Sequence, residues 1–293
     1  MTAHVGIFGL GLIGCAAAQR LIAAGHAVTG YDPEVTASRA LVAMGGRAGL
    51  PADVWSASTV LIAVFDAAQA HAVLATAPEA ARADEMILTT CDPKGIASLF
   101  PVASPGLVLI EAPISGTSAQ LRRGEATLYL AGDFDAVVRV EAVLLALTDR
   151  VVRLGPFGEA ARVKLAINLI LGLNRAALAE GLLFARAMGL DPETFLGLAQ
   201  ESAAGSSVMA SKGSRMVAGD FSPEGRVSQS AKDFRLILNS AEGAGLKLPF
   251  TETYLDLMED LVAEGSGDLD NSAVILALEL SSSTRTAARR TST

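Results

Sequence analysis

Up to about residue 155, short runs rich in Val, Ile, Leu and Thr alternate with alanine-rich stretches whose apolar residues recur at helical spacing. The runs fall at 5–8, 27–31, 59–65, 86–90, 107–111, 127–131 and 151–154. Near-continuous apolar runs separated by helical segments predict a parallel, doubly wound sheet with helices on both faces. The pattern then changes. From 158 to 188 there is no proline and no β-rich run, and Gly189 follows as a natural helix stop. A helix of that length extends about 46 Å. Apolar residues cover most of its circumference, which predicts burial between two domains or two subunits. Pro192 then sits in a first helical turn after Asp191, a good cap, and further helices are expected at 226–242, 249–264 and 272–280. Residues 281–293 are Ser/Thr/Arg-rich with almost no apolar content, the composition of a disordered tail. The expected organisation is an α/β domain over 1–157, an all-α domain over 158–280 entered through the interdomain helix 158–188, and the tail 281–293.

The first strand runs straight into Gly9-Leu10-Gly11-Leu12-Ile13-Gly14, and Asp32 stands at the tip of the second. In this context the glycines read as a dinucleotide fingerprint and the domain as Rossmann-like. Gly9 permits a tight turn, Gly11 lets backbone approach a pyrophosphate, and Gly14 lets helix pack against strand. The helix N-terminus at Leu12 and Ile13 offers free N–H donors and a positive dipole end. Asp32 can accept hydrogen bonds from both ribose hydroxyls and would repel a 2′-phosphate. The nearest arginine downstream is Arg39, so NAD is favoured over NADP.

Composition narrows the classes. A net charge of −8 and a pI near 5.0 argue against nucleic acid or an anionic membrane as main partner. Cys15 and Cys91 form no metal-ligand pattern, and three histidines (His4, His26, His71) cannot build a His-rich metal site. No single uninterrupted apolar run reaches the length of a membrane span. The N-terminus lacks a basic n-region and its glycines have a better explanation than a signal peptide, so the expected location is cytoplasmic. The 51% apolar composition and the long apolar helix predict a homodimer or homotetramer.

A nicotinamide cofactor implies hydride transfer, and oxidising an alcohol also needs a base for the hydroxyl proton. The histidines are poorly placed for this and read as structural or surface residues. Lys164 stands six residues into the long apolar helix with Asn168 four residues on, hence on the same face. Desolvation and a nearby nicotinium charge would both favour its neutral amine. Spacing alone is equally compatible with a lysine snorkelling to solvent. Just past a strand, Glu111-Ala112-Pro113-Ile114-Ser115-Gly116-Thr117 could present a hydroxyl and successive N–H groups to a carboxylate. By pattern alone, a Pro/Gly turn capping the next helix is slightly the better reading.

These motifs, in this order to about residue 280, resemble the β-hydroxyacid dehydrogenase family, which includes 3-hydroxyisobutyrate dehydrogenase, tartronate semialdehyde reductase and threonate dehydrogenase. The opening fingerprint GLGxMG corresponds to Gly9–Gly14, and a Ser-Thr pair near the nicotinamide ribose to Thr89-Thr90. The signature D-A-P-V-S-G-G corresponds to Glu111–Thr117. The GxxGxGxxxKxxNN segment corresponds to Gly155-Pro156-Phe157-Gly158 through Lys164 and Asn168, and a late K-D pair to Lys232-Asp233. The resemblance implies Lys164 as acid/base, with Ser115 and Asn168 binding and orienting substrate. Gly116 would offer an N–H, and Lys232 would close over cofactor and substrate. Without the resemblance, Lys232 reads as an exposed lysine paired with Asp233.

The expected cofactor set is Gly9, Gly11, Leu12, Ile13, Gly14, Asp32, Phe65, Thr90 and Lys232. The substrate set is Ser115, Gly116, Thr117, Lys164, Asn168 and Lys232. Among the departures, Thr117 replaces a second glycine, Gln120-Leu121 a usual Gly-Ala pair, and Ile167 the first of two asparagines. Cys91-Asp92 stands where a small apolar residue and Ser or Asp are common. Thr117 and Gln120 are expected to add polar reach near the carboxylate site, suiting a more hydroxylated substrate. The leading expectation is an NAD-dependent oxidoreductase of a small 3-hydroxy acid or its semialdehyde. The alternatives are an imine reductase of the same architecture and a non-catalytic NAD(H)-sensing protein.

Overall fold

The computed structural model describes residues 2–78, 83–99 and 106–281. The chain divides into two compact units, Met1–Lys164 and Leu165–Thr293. Among the described residues of the first unit nine strands form one sheet: β1 (His4–Phe8), β2 (Ala27–Tyr31), β3 (Arg47–Ala48), β4 (Thr59–Ile62), β5 (Glu85–Leu88), β6 (Val108–Glu111), β7 (Ile114–Ser115), β8 (Thr127–Gly132) and β9 (Val151–Arg153). Their order is β3-β2-β1-β4-β5-β6-β8-β7, with β9 beside β8. From β3 to β6 every pairing is parallel. The chain reverses direction in the sheet between β1 and β4, the switch point at whose carboxyl edge ligands of such sheets bind. β1 is apolar throughout its centre because helices cover both its faces, and Val5 and Ile7 are wholly buried.

One edge departs from the all-parallel expectation: β8 runs antiparallel to both β6 and β7. The reason is local. Eleven residues, 116–126, join β7 to β8, and with only the short helix Ser118–Arg122 among them the connection falls short of a parallel crossover.

The predicted 158–188 helix is Glu159–Ala187. Its first turn belongs to the sheet unit, where Ala160 and Ala161 are wholly buried and Ala161 packs with Phe8, Ile62, Leu88 and Leu109. By length and composition this helix could cross a membrane, and most of its apolar stretch is not buried within the chain. No uninterrupted apolar run of that length exists here, because Arg162, Lys164, Asn168, Asn174 and Arg175 break it without making the helix polar overall. Within the helical unit Arg175 is buried and donates to the Tyr254 hydroxyl. A Cβ on Gly172 would lie 2.3 Å from the Phe234 ring, so glycine is what lets that ring pack there.

The helical unit continues through Pro192–Glu201, Ser207–Ala218, Val227–Gly243, Pro249–Ala263 and Asn271–Ser281. Asp191 caps the first of these, accepting from Thr194 N at 2.8 Å. Ser207–Ala218 is a helix that the sequence pattern does not single out. At the core, the wholly buried Asp270 accepts two bonds from Lys212 Nζ at 2.9 Å and others from Glu224 N, Gly225 N and the Ser272 hydroxyl. Burial pushes the Asp270 carboxyl up, but the Lys212 ammonium and these donors outweigh it and hold it at about 2. The last helix is described as far as Ser281, the first residue of the expected tail, and the remainder of that tail lies outside the described residues.

Candidate active site

The glycine turn begins where β1 stops. Gly9 takes φ +86°, and its Cβ would lie 2.4 Å from Ala63 O. At Gly14 a Cβ would stand only 1.8 Å from Gly9 O. Both glycines are therefore demanded by the protein itself. Gly11 is different: a Cβ there would meet nothing within 4 Å. It caps the helix Leu12–Ala23 without a side-chain acceptor, so the first-turn N–H groups of Leu12, Ile13 and Gly14 gain no side-chain partner from their cap. An exposed glycine that nothing in the chain requires, at the N-terminus of a helix, suits a pyrophosphate that must come close to the backbone.

Asp32 lies immediately beyond β2, with Oδ2 accepting from Leu10 N at 2.7 Å and Oδ1 from Glu34 N at 2.9 Å. Those bonds hold the carboxylate beside the turn. Phe65 is in the turn after β4 rather than on the strand, which ends at Ile62. There Asp66 caps the helix Ala67–Leu74, and Phe65 N donates to Gln69 Oε1. Thr90 is buried just past β5, and among the described residues its hydroxyl has no hydrogen-bond partner. The open Gly11 turn, Asp32 and this orphaned hydroxyl at the carboxyl edge of the sheet fit a dinucleotide.

Ser115 ends β7, half-buried, paired with Thr127. Gly116 follows at φ +139°, where a Cβ would crowd Gln120 Oε1 at 3.1 Å and Ala126 at 3.2 Å. Thr117 behaves as a helix cap. Its hydroxyl accepts from Gln120 N at 3.2 Å, and its own N–H donates to Gln120 Oε1 at 2.8 Å. This reciprocal capping box engages both side chains, so the extra polar reach expected of Thr117 and Gln120 is not what they provide. The turn-and-cap reading holds for Thr117, while Ser115 is half-buried and Gly116 exposed.

Lys164 is buried in the sixth position of Glu159–Ala187, against the snorkelling alternative. Asn168, one turn on, donates from Nδ2 to Asp233 Oδ2 at 2.9 Å. Asp233 also receives Gln229 Nε2 at 3.3 Å and pairs with Lys232 Nζ at 3.1 Å. The Lys232–Asp233 pairing that sequence adjacency suggests is thus present, but both residues are largely buried rather than exposed. A carboxylate only accepts, so Asp233 turns the Asn168 amide and leaves its carbonyl pole facing away. Spacing could not reveal this role for Asp233, because its partner lies 65 residues away; the K-D pair was the only signal.

The histidines are structural. His4 Nε2 bonds the Thr29 hydroxyl, His26 Nδ1 accepts from Ala3 N, and His71 Nε2 bonds the Ser98 hydroxyl. Among the described residues no cluster of His, Cys, Asp and Glu could hold a metal ion.

A dinucleotide-binding sheet unit followed by a helical unit, with a buried lysine and an asparagine one turn apart on the helix that enters it, defines a class. The chain belongs to the β-hydroxyacid dehydrogenase family, and it is an NAD(P)-dependent oxidoreductase. Residues 4–155 match the family model of the NAD-binding domain of 6-phosphogluconate dehydrogenase. Residues 158–278 match that of the NAD-binding domain of NADP-dependent 3-hydroxyisobutyrate dehydrogenase. An L-threonate dehydrogenase of Cupriavidus necator is 32% identical over 94% of this chain and 96% of its own length. A 2-hydroxy-3-oxopropionate reductase of Escherichia coli is 30% identical over 94% and 97%. The solved 3-hydroxyisobutyrate dehydrogenase from Salmonella typhimurium superposes with a TM-score of 0.82 at 27% identity, covering 93% of this chain and 99% of that one. Hydroxyacid relatives at this coverage support the dehydrogenase reading over imine reduction.

Proposed function

We propose that the protein interconverts a small 3-hydroxy acid and its carbonyl form, with NAD preferred. The observation that carries this is the buried Lys164 with Asn168 one turn beyond it, its amide turned by Asp233. A bound nicotinamide supplies the hydride acceptor in oxidation and the donor in reduction. The chain's own residues do the rest. The Ser115 hydroxyl and Gly116 N–H anchor the substrate carboxylate. As the carbinol carbon is oxidised, the hydroxyl proton passes to Lys164 Nζ; in reduction Lys164 returns it to the nascent alkoxide. The Asn168 carbonyl accepts from the lysine or the substrate hydroxyl and so holds the two in line. Gly9, Gly11, Leu12, Ile13 and Gly14 cradle the pyrophosphate, and Asp32 binds the adenosine ribose, which supports NAD over NADP. Phe65, Thr90 and Lys232 complete the cofactor contacts, and Lys232 also reaches substrate.

The names of the relatives, an L-threonate dehydrogenase and a 2-hydroxy-3-oxopropionate reductase, support testing hydroxylated C3–C4 acids first. The decisive experiment is a panel of L-threonate, D-glycerate, 3-hydroxyisobutyrate, L-serine and 3-hydroxypropionate, each with NAD and NADP. Lys164→Ala lowers kcat by ~1,000-fold or more while dinucleotide binding survives. Near-normal kcat in that variant refutes the mechanism. The exposed Phe184, Met188, Leu190 and Leu198 of the helical unit support a homo-oligomer, which light scattering would read as a mass of two or four chains; a single-chain mass would refute it.

A further inference from the structure

Glu111 ends β6, is wholly inaccessible to solvent, and takes no part in the chemistry described above. Its Oε2 accepts from Gly158 N at 2.7 Å and from Ala160 N at 3.2 Å. Gly158 presents its N–H from a positive φ of +98°, just before the long helix begins. Ala160 is four residues ahead of Lys164, one turn away on the same face. Ser115 lies four residues beyond Glu111 along the strand-and-turn that carries it. One carboxylate oxygen therefore joins the strand leading to Ser115 with the first turn beneath Lys164, across 47 and 49 residues of chain. Glutamate stands where the family signature begins with aspartate.

Stability alone is a poor account of this residue. Oε1 is buried and has no hydrogen-bond partner among the described residues. Burial pushes the carboxyl up, even though the N–H groups of Gly158, Ala160 and Ala161 and the Arg162 charge pull the other way. A half-satisfied buried carboxylate costs more than an apolar side chain of the same size.

We propose that Glu111 is a positioning residue, which sets the spacing between the Ser115 substrate anchor and the Lys164 acid/base by seating the catalytic helix on β6. The proposal rests on the hydroxyacid reading given above. It predicts a split between turnover and binding. Glu111→Met keeps volume but removes the acceptor, and it lowers kcat about 10- to 100-fold, with dinucleotide affinity and hydroxyacid KM within about 3-fold of the parent. Glu111→Gln retains a carbonyl for the two N–H groups and restores kcat to within about 3-fold.

The test measures kcat, KM, NADH affinity by fluorescence and thermal melting for both variants, beside the parent and Lys164→Ala. A Met variant as fast as the parent overturns the proposal. So does a Met variant whose loss is confined to melting temperature or dinucleotide affinity, or a Gln variant no better than Met. A parent chain inactive on every acid, or an active Lys164→Ala, overturns the underlying reading instead and the proposal with it; only an active parent and an inactive Lys164→Ala make the Glu111 comparison diagnostic of the clamp.

Discussion

The sheet unit and the helical unit prepare their functional groups differently. In the sheet unit the groups assigned to cofactor and substrate are mostly backbone N–H groups or short side chains at strand ends: the glycine turn after β1, Asp32 after β2, and Ser115-Gly116 after β7. Glycines and register place most of them, and where a side chain helps, as at Asp32 and Glu111, it does so by accepting from backbone N–H groups. In the helical unit the backbone is regular helix, its hydrogen bonds internally spent. Orientation there comes from buried charges: Lys212 on Asp270, and Asn168, Gln229 and Lys232 on Asp233. A unit placed by backbone should break by steric insertion; a unit placed by charge should break by titration or loss of charge.

The largest expected effect tests the first half of that contrast. In Gly14→Ala the new Cβ would lie 1.8 Å from Gly9 O, with only backbone to give way. It should cost about 3 kcal/mol of stability and abolish dinucleotide binding. Gly11→Ala meets nothing within 4 Å, so its melting temperature should match the parent. Its NADH affinity should nevertheless fall about tenfold, one charge-assisted hydrogen bond's worth. Equal melting losses in the two variants would mean that Gly11 is structural and would remove the main geometric sign of the cofactor.

A smaller effect tests the second half. The folded Asp270 carboxyl stands at about 2, below its ordinary 3.8, so its contribution is present above 3.8 and is lost as pH falls toward 2. The size is about 2 kcal/mol. Denaturant unfolding followed by far-UV circular dichroism, where helix dominates the signal, should show that loss between pH 4 and pH 2. In Lys212→Met the sign reverses, because burial is then the dominant influence on Asp270 and the variant gains stability on acidification. An unchanged acid slope in Lys212→Met would show that the ion pair does not organise this unit.

The same contrast explains which features are legible in the amino-acid sequence. Gly9, Gly11 and Gly14 are legible because backbone constraints select residue type directly, and Lys164 with Asn168 because helical spacing is local. Thr117-Ser118-Ala119-Gln120 is also a local signal, a capping box in the order of its letters, although its polarity suggests a ligand contact instead. Glu111 and Asp233 are not legible in their roles. Each acts on groups 47 to 65 residues away, and a single carboxylate carries no mark of its distant partner. The antiparallel edge of the sheet is hidden for a related reason: alternation of strands and helices predicts crossovers, and only the shortness of the whole connection 116–126 forbids one.

Asp233 offers the smallest and most selective break. As a carboxylate it can only accept, so it fixes which pole of the Asn168 amide it holds. In Asp233→Asn the new amide can present either pole, and Asn168 loses its single orientation while volume and packing are kept. The carbonyl that should face the lysine and substrate is then replaced part of the time by a donor. The expected result is a kcat lower by about tenfold, about 1.4 kcal/mol, with little change in melting temperature. The loss should be greater in kcat than in NAD affinity, because Asn168 is assigned to the reacting centre rather than to the dinucleotide. If affinity falls and kcat does not, Asp233 acts through Lys232 on the cofactor, and the orientation of Asn168 is not what the reaction uses.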